Sequence, residues 1–178
     1  MRIISGKYGR RTIRPPKDLP VRPTTDMAKE SLFNILNNKT YFEGENALDL
    51  FAGTGSIAFE FVSRGCKEVI AVDINQKGIQ FIKQAASDFG MNNLQTFRAD
   101  VFRFIQSTSK KFDIIFADPP YALQGIETIS QLVFDNKLLN TEGWLIIEHP
   151  QEIDFSEQKF FVEHRKYGKV NFSFFTQP

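Results

Sequence analysis

Among 178 residues there are one cysteine, one tryptophan and two histidines, and these shortages remove several kinds of protein at once. Cys66 cannot close an intramolecular disulfide or build a cysteine-rich zinc site by itself, and it reads as a small core residue. His149 and His164 are too few for a histidine-rich metal site, so no metal is expected and both read as structural or exposed. Although 42% of the chain is hydrophobic and nineteen residues are Phe, no run approaches the roughly 18 uninterrupted apolar residues of a membrane span. Met1 to Arg14 is basic and polar, without the apolar stretch of a signal peptide, so a soluble, cytoplasmic protein is expected. No internal repeat or low-complexity stretch is visible. The length suits a single well-buried domain.

A net charge of +1 conceals a strong asymmetry. Residues 1–25 hold seven cations (Arg2, Lys7, Arg10, Arg11, Arg14, Lys17 and Arg22) against one acid, Asp18, which leaves 15 basic and 20 acidic residues in the remainder. A basic arm on an acidic body is the pattern of a phosphate-binding attachment, and a solvated tail gives the same charge count. The arm reads as a small hairpin, Arg2 to Ile4 against Thr12 to Arg14, followed by a connector stiffened by Pro15, Pro16, Pro20 and Pro23. Residues 26–178 form the main body. It opens on a helix that Asp26 can cap, with Ala28, Leu32, Ile35 and Leu36 at helical spacing.

From Ala47 onward, short apolar runs alternate with helical stretches, the order of a parallel sheet covered on both faces. The runs are Ala47 to Phe51, Glu68 to Val72, Leu94 to Phe97, Phe112 to Ala117 and Trp144 to Glu148. Helices are expected over Ser56 to Arg64, along an Ile79, Ile82, Ala86, Phe89 face, near Val101 to Gln106, and over Ile126 to Phe134. Lys159 to Arg165 and Val170 to Thr176 flank Gly168 and Lys169 as a hairpin. The expected fold is therefore α/β: a doubly wound, Rossmann-like, seven-stranded, mostly parallel sheet with a terminal antiparallel hairpin and a small N-terminal β-hairpin arm.

The first run passes into Asp49-Leu50-Phe51-Ala52-Gly53-Thr54-Gly55 and then a helix, a strand-to-helix turn whose glycines let a ligand approach the backbone. The second strand ends at Asp73, placed to accept from a ribose diol. Gly53-x-Gly55-x-x-Ala58 also satisfies the loose dinucleotide fingerprint, so an NAD-dependent oxidoreductase is a competing reading. Asp49 argues against it, because a carboxylate just before the turn repels a pyrophosphate and suits the ammonium of a methionine moiety. Asp100 follows the third strand, where it could take an adenine amino group. Three acids at consecutive strand ends fit a cationic cofactor, S-adenosylmethionine. Ser56 lacks the Gly-x-Ser-x-Gly context of a nucleophile elbow, so no covalent mechanism is read.

Asp118-Pro119-Pro120-Tyr121 directly follows the fourth run and is the most specific signal. Two prolines fix an extended course and remove two donors, leaving carbonyls to accept. An exocyclic base amine is a weak nucleophile because its lone pair is delocalised into the ring. Acceptors at Asp118 and the Pro119 carbonyl would draw on its N–H bonds, while Tyr121 stacks on an extruded base. Adenine N6 would be served as well as guanine N2, but a DNA adenine methyltransferase usually needs a target-recognition domain, for which the chain has no room. A catalytically silent RNA-binding module has no use for this motif.

Together these residues resemble the class I methyltransferases of exocyclic amines, and most closely the RsmD-type 16S rRNA guanine-N2 methyltransferases. Arg2-Ile3-Ile4-Ser5-Gly6-Lys7, Arg22-Pro23-Thr24-Thr25-Asp26 before a helix ending in Phe33-Asn34, the Asp49 to Gly55 turn and Asp118 to Tyr121 stand in that family's order. The resemblance implies methylation at N2 of a guanosine of small-subunit ribosomal RNA, within an assembled or assembling 30S subunit; a monomer is expected. It implies Asp49, Phe51, Gly53, Gly55, Asp73, Ile74, Asp100 and Val101 as cofactor-binding, and Asp118, Pro119, Pro120 and Tyr121 as catalytic. RNA would be held by Lys7, Arg10, Arg11, Arg14, Arg22 and Lys29. The family often has a basic residue after its Thr-Asp pair; Met27 stands there in this chain, and Lys29 is the nearest cation.

Overall fold

Apolar runs as continuous as these need cover on both faces, and in the computed structural model they form the centre of one seven-stranded sheet ordered β3-β2-β1-β4-β5-β7-β6. The structure describes residues 1–17, 19 and 26–177. The chain runs α1 (Asp26–Leu36), β1 (Asn46–Leu50), α2 (Ser56–Ser63), β2 (Glu68–Asp73), α3 (Gln76–Asp88), β3 (Leu94–Arg98), α4 (Val101–Ser107) and β4 (Phe112–Ala117). After a 3-10 turn (Ile126–Thr128) come α5 (Ile129–Asp135), β5 (Leu139–His149), β6 (Phe161–Tyr167) and β7 (Val170–Thr176). Strands β1 to β5 pair in parallel, and β7 joins antiparallel to β5 and β6. The terminal hairpin is therefore inserted with its second strand innermost.

Neighbouring residues of each central strand face opposite layers. Ala47, Val69, Ala71, Ile114 and Phe116 join Leu32 and Phe33 of α1, Phe59 and Phe61 of α2, and Ile82 of α3 on one side. Leu48, Ile70, Val72, Ile115 and Leu145 meet Val101 and Ile105 of α4 and Ile129 and Val133 of α5 on the other. Cys66 lies in the first layer, and burial pushes its thiol up to about 12. His149 is structural too: its ring nitrogens contact the Pro150 carbonyl at 2.9 Å and the Ser173 hydroxyl at 2.8 Å, and burial lowers its pKa.

Three local expectations change. β5 begins five residues before Trp144, because Leu139 already pairs with Phe112 ahead of a register shift. The Ile126 to Phe134 helix is split into a 3-10 turn and α5. Asp26, expected as a cap, is the first residue of α1. Arg22, like Pro20, Pro23, Thr24 and Thr25, lies outside the described residues.

The arm does form a hairpin-like turn, reduced to a single bridge between Arg2 and Thr12. Its apolar residues Ile3, Tyr8 and Ile13 enter the first core layer, so the arm is packed onto the body along α2. Gly6 makes this possible: a Cβ there would stand 1.8 Å from the Ser63 carbonyl oxygen, and its φ is +81°. The neighbouring Lys7 N–H donates to the same carbonyl at 2.7 Å.

Candidate active site

The strand order reverses between β1 and β4, and in open α/β sheets the crevice beyond the carboxyl ends at such a point is where ligands sit. Here it is a cavity of about 630 Å³. The two principal motifs meet across it, because the Asp118 N–H donates to the Leu50 carbonyl at 3.3 Å. Asp49, Phe51, Gly53, Asp73, Ile74, Asp100, Val101, Asp118, Pro119, Pro120 and Tyr121 all line it, eleven of the twelve residues assigned to cofactor and catalysis from the sequence. Gly55 lies just behind, as the N-cap of α2.

The loop is held by the acids expected to bind ligand. Gly55 caps α2 in the left-handed region, φ 77°, and has no side chain to satisfy the first-turn amides. Asp49 takes that part from the strand below, accepting from the Ala58 N–H at 2.9 Å. It is only 2% exposed, and desolvation raises its pKa from 3.8 to about 8, with the nearby Asp73 adding to the rise and the Ala58 bond opposing it. Asp73 accepts from the Gly53 N–H at 2.8 Å and from the Asn75 N–H at 2.7 Å, one on each oxygen. An ionised carboxylate has about four lone-pair sites, so these bonds leave acceptor capacity for a diol. Asp100 caps α4 by accepting from the Arg103 N–H at 3.0 Å, and it lines the cavity as well. Phe51 is a non-glycine residue at φ 62°, a strained conformation that the loop imposes at the cavity wall.

In the Asp118 motif, the Pro120 carbonyl is taken by the Leu123 N–H at 2.8 Å. This closes a turn and sets the direction of the preceding residues. The Tyr121 hydroxyl donates to Glu148 Oε1 at 3.2 Å, and the ring is 39% exposed. Glu148, at the end of β5, and Lys169 with Val170, at the tip of the terminal hairpin, also line the cavity. Sequence reasoning missed these three. Glu148 was detectable, since it is an acid at a strand end like Asp49 and Asp73; the hairpin's reach over the crevice was not.

The RNA assignments divide. Lys7, Arg10, Arg11 and Arg14 are exposed. Arg14 follows Ile13, whose N–H donates to the Met1 carbonyl, and Met1 touches Thr54 at the cavity rim. Lys7 and Arg11 flank the Tyr8 ring at 5.3 and 5.4 Å, beside Gly90 at the far end of α3. They stand the length of α2, about 12 Å, from the rim.

Lys29 is a correction. Its place on α1 is the inward face beside Ala28, Leu32 and Phe33, and only 1% of it is exposed. Its ammonium donates to the Arg2 carbonyl and to Ser56 Oγ at 3.1 Å, and lies 3.7 Å from Glu60. Desolvation lowers its pKa, against the pull of Glu60. Glu60 also accepts from the Ile4 and Ser5 N–H groups and from Arg64, so this lysine fastens the arm and cannot reach RNA.

Residues 1–176 match the family described as Conserved hypothetical protein 95. Protein YlbH of Bacillus subtilis is 35% identical over 161 residues, covering 88% of this chain and 86% of that protein. The chain belongs to the RsmD family of methyltransferases. The ribosomal RNA small subunit methyltransferase D of Buchnera aphidicola subsp. Baizongia pistaciae is 30% identical to this RsmD-family chain over 154 residues, covering 86% of it and 78% of the relative. The solved structure of the Escherichia coli protein yhhF has the same class I methyltransferase fold, with a TM-score of 0.86 at 24% identity over 99% of each chain.

The cavity fits S-adenosylmethionine. Asp49, Asp73, Asp100, Asp118 and Glu148 face Lys169 as the one basic residue among the described residues of the lining, a charge balance suited to a sulfonium and an ammonium rather than a pyrophosphate. Ile74, 65% exposed beside Asp73, and the buried Val101 offer apolar surface for a purine. The oxidoreductase reading is thereby set aside.

Proposed function

We propose that this RsmD-family protein transfers a methyl group from S-adenosylmethionine to the exocyclic N2 of a guanosine in 16S ribosomal RNA. It acts as a monomer on an assembled or assembling 30S subunit, in the cytoplasm. The observation that carries the reading is the meeting of the Asp118 to Tyr121 motif with the glycine loop in one cavity, tied by the Asp118 to Leu50 hydrogen bond.

When bound, S-adenosylmethionine supplies an electrophilic methyl on a positively charged sulfur. Asp49 would seat its ammonium, Asp73 its ribose hydroxyls and Asp100 its adenine amine. Asp118 and the Pro119 carbonyl accept the two N–H bonds of the target amine, which returns electron density to nitrogen and points its lone pair at the methyl. The amine nitrogen, so activated, would accept the methyl that the cofactor supplies, and its proton would leave by way of Asp118 to solvent. Tyr121 stacks on the extruded base and holds it out of the RNA helix. Lys7, Arg10, Arg11, Arg14 and Arg22 contact RNA phosphates. Among the described residues no helix is long and apolar enough to cross a membrane.

The test is transfer of labelled methyl to small subunits lacking the modification, by wild type and Asp118→Ala, followed by nucleoside analysis. Label in N2-methylguanosine that the variant does not produce supports the reading; label in N6-methyladenosine, or none on subunits or naked RNA, overturns it.

A further inference from the structure

The Asp-Pro-Pro-Tyr geometry explains why an exocyclic amine reacts, but it leaves open which base carries that amine. Guanine N2 and adenine N6 each present two N–H donors. The bases differ at the adjacent ring nitrogen: guanine N1 carries a proton and donates, whereas adenine N1 carries a lone pair and accepts. A residue that reads this atom must stand beside Asp118, at the same depth in the cavity.

Glu148 stands there. Parallel pairing of Ala117 with Ile147 brings the next residues of β4 and β5, Asp118 and Glu148, level at the carboxyl edge of the sheet. Adjacent strands run about 4.8 Å apart, a separation from which two carboxylate side chains can converge on one base edge. Both residues line the cavity, and Glu148 is only 7% exposed. Its Oε1 receives the Tyr121 hydroxyl at 3.2 Å, so the ring assigned to stack on the base and the carboxylate beside it are positioned together.

We infer that Glu148 accepts the N1 proton of the extruded base and so makes the site select guanine over adenine. This rests on the methyl transfer proposed above. An ionised carboxylate only accepts, so adenine would set the lone pair of N1 against it. Sites built to hydrogen-bond one donor reject analogues lacking it by as much as about 10⁴-fold. Asp118 activates the amine, and Glu148 identifies its neighbour.

The test uses bases that separate the two atoms. 2-Aminopurine keeps the exocyclic N2 amine but has a lone pair at N1, whereas guanine has both donors. Small-subunit RNA is assembled with a synthetic segment carrying either base at the position the wild type methylates, and kcat/KM is measured for each. Wild type is expected to prefer guanine by at least about 100-fold. Glu148→Gln, whose amide both donates and accepts, is expected to reduce that ratio about tenfold or more, whereas Glu148→Asp keeps it while slowing transfer. A ratio of rates within one variant does not move with partial misfolding. Equal use of both bases by wild type, or an unchanged ratio in Glu148→Gln, would overturn the assignment and leave the guanine reaction standing. Methyl transfer by wild type to adenine alone would overturn both.

Discussion

Replacing Asp49 by asparagine is expected to raise stability at neutral and alkaline pH while weakening cofactor binding. Asp49 is buried with its pKa raised from 3.8 to about 8, so between these values the folded protein holds a proton that the unfolded chain has released. Stability contributed by a group of this kind is complete below pH 3.8 and falls by about 1.4 kcal/mol per pH unit until the folded group ionises near 8. Asparagine keeps an oxygen for the Ala58 N–H and does not titrate. The stability of Asp49→Asn relative to wild type will therefore rise by about 4 kcal/mol between pH 5 and pH 8, as read by urea unfolding at several pH values. A difference constant across that range would refute the burial argument.

Cofactor binding makes the complementary measurement. If the methionine ammonium requires ionised Asp49, affinity for S-adenosylmethionine in the wild type will climb about tenfold per pH unit from 6 towards 8. It will level there, because an α-amino group itself loses its proton near 8. Calorimetry in buffers of different ionisation enthalpy will show a proton released on binding near pH 7. Asp49→Asn will bind weakly, without that slope. A wild-type affinity independent of pH from 6 to 8 would place the ammonium elsewhere.

Other perturbations test the supports of the site. A Cβ at Gly78 would stand 2.7 Å from the Gly53 carbonyl oxygen, so Gly78→Ala will weaken cofactor binding at least about tenfold, although alanine in a helix otherwise stabilises. Lys29→Ala will cost about 3 kcal/mol in denaturant unfolding by breaking the buried pair with Glu60, yet leave the salt dependence of RNA binding unchanged. Replacing Lys7, Arg10, Arg11 and Arg14 together by glutamine will flatten the slope of log affinity against log salt by about 3, read by filter binding. An unchanged slope would reduce the arm to a structural part of the domain.

The centre of the sheet was legible because its residues obey one constraint at a time. Ala47 to Phe51 or Phe112 to Ala117 must be apolar on both faces, and nothing local opposes an extended backbone. Lys29 misled because it obeys two. Its neighbours Ala28, Leu32 and Phe33 mark an inward face, but a lysine is ordinarily taken for solvent unless its partner is known. That partner, Glu60, lies 31 positions away on a helix whose packing against α1 no periodicity reveals. Lys169 was missed for a related reason: it enters the crevice only because β7 inserts beside β5, and a hairpin at the end of a sequence does not announce which of its strands will be innermost.

The acids at the strand ends show why local structure and ligand binding are hard to separate here. Asp49 completes the first turn of α2, Asp73 holds Gly53 and Asn75, and Asp100 caps α4, so each would be retained for folding alone. A helix cap explains one acid, but three at adjacent strand ends around one cavity, with Asp49 buried to the point of resisting ionisation, exceed what capping requires. A serine or asparagine would cap as well at lower electrostatic cost. The surplus negative potential becomes favourable when a cation enters, and the same bonds that shape the loop in its absence then hold the carboxylates aimed at the ligand. Removal of any one acid therefore perturbs both loop and cofactor, and the pH dependence of binding, rather than its loss, is the quantity that distinguishes the two roles.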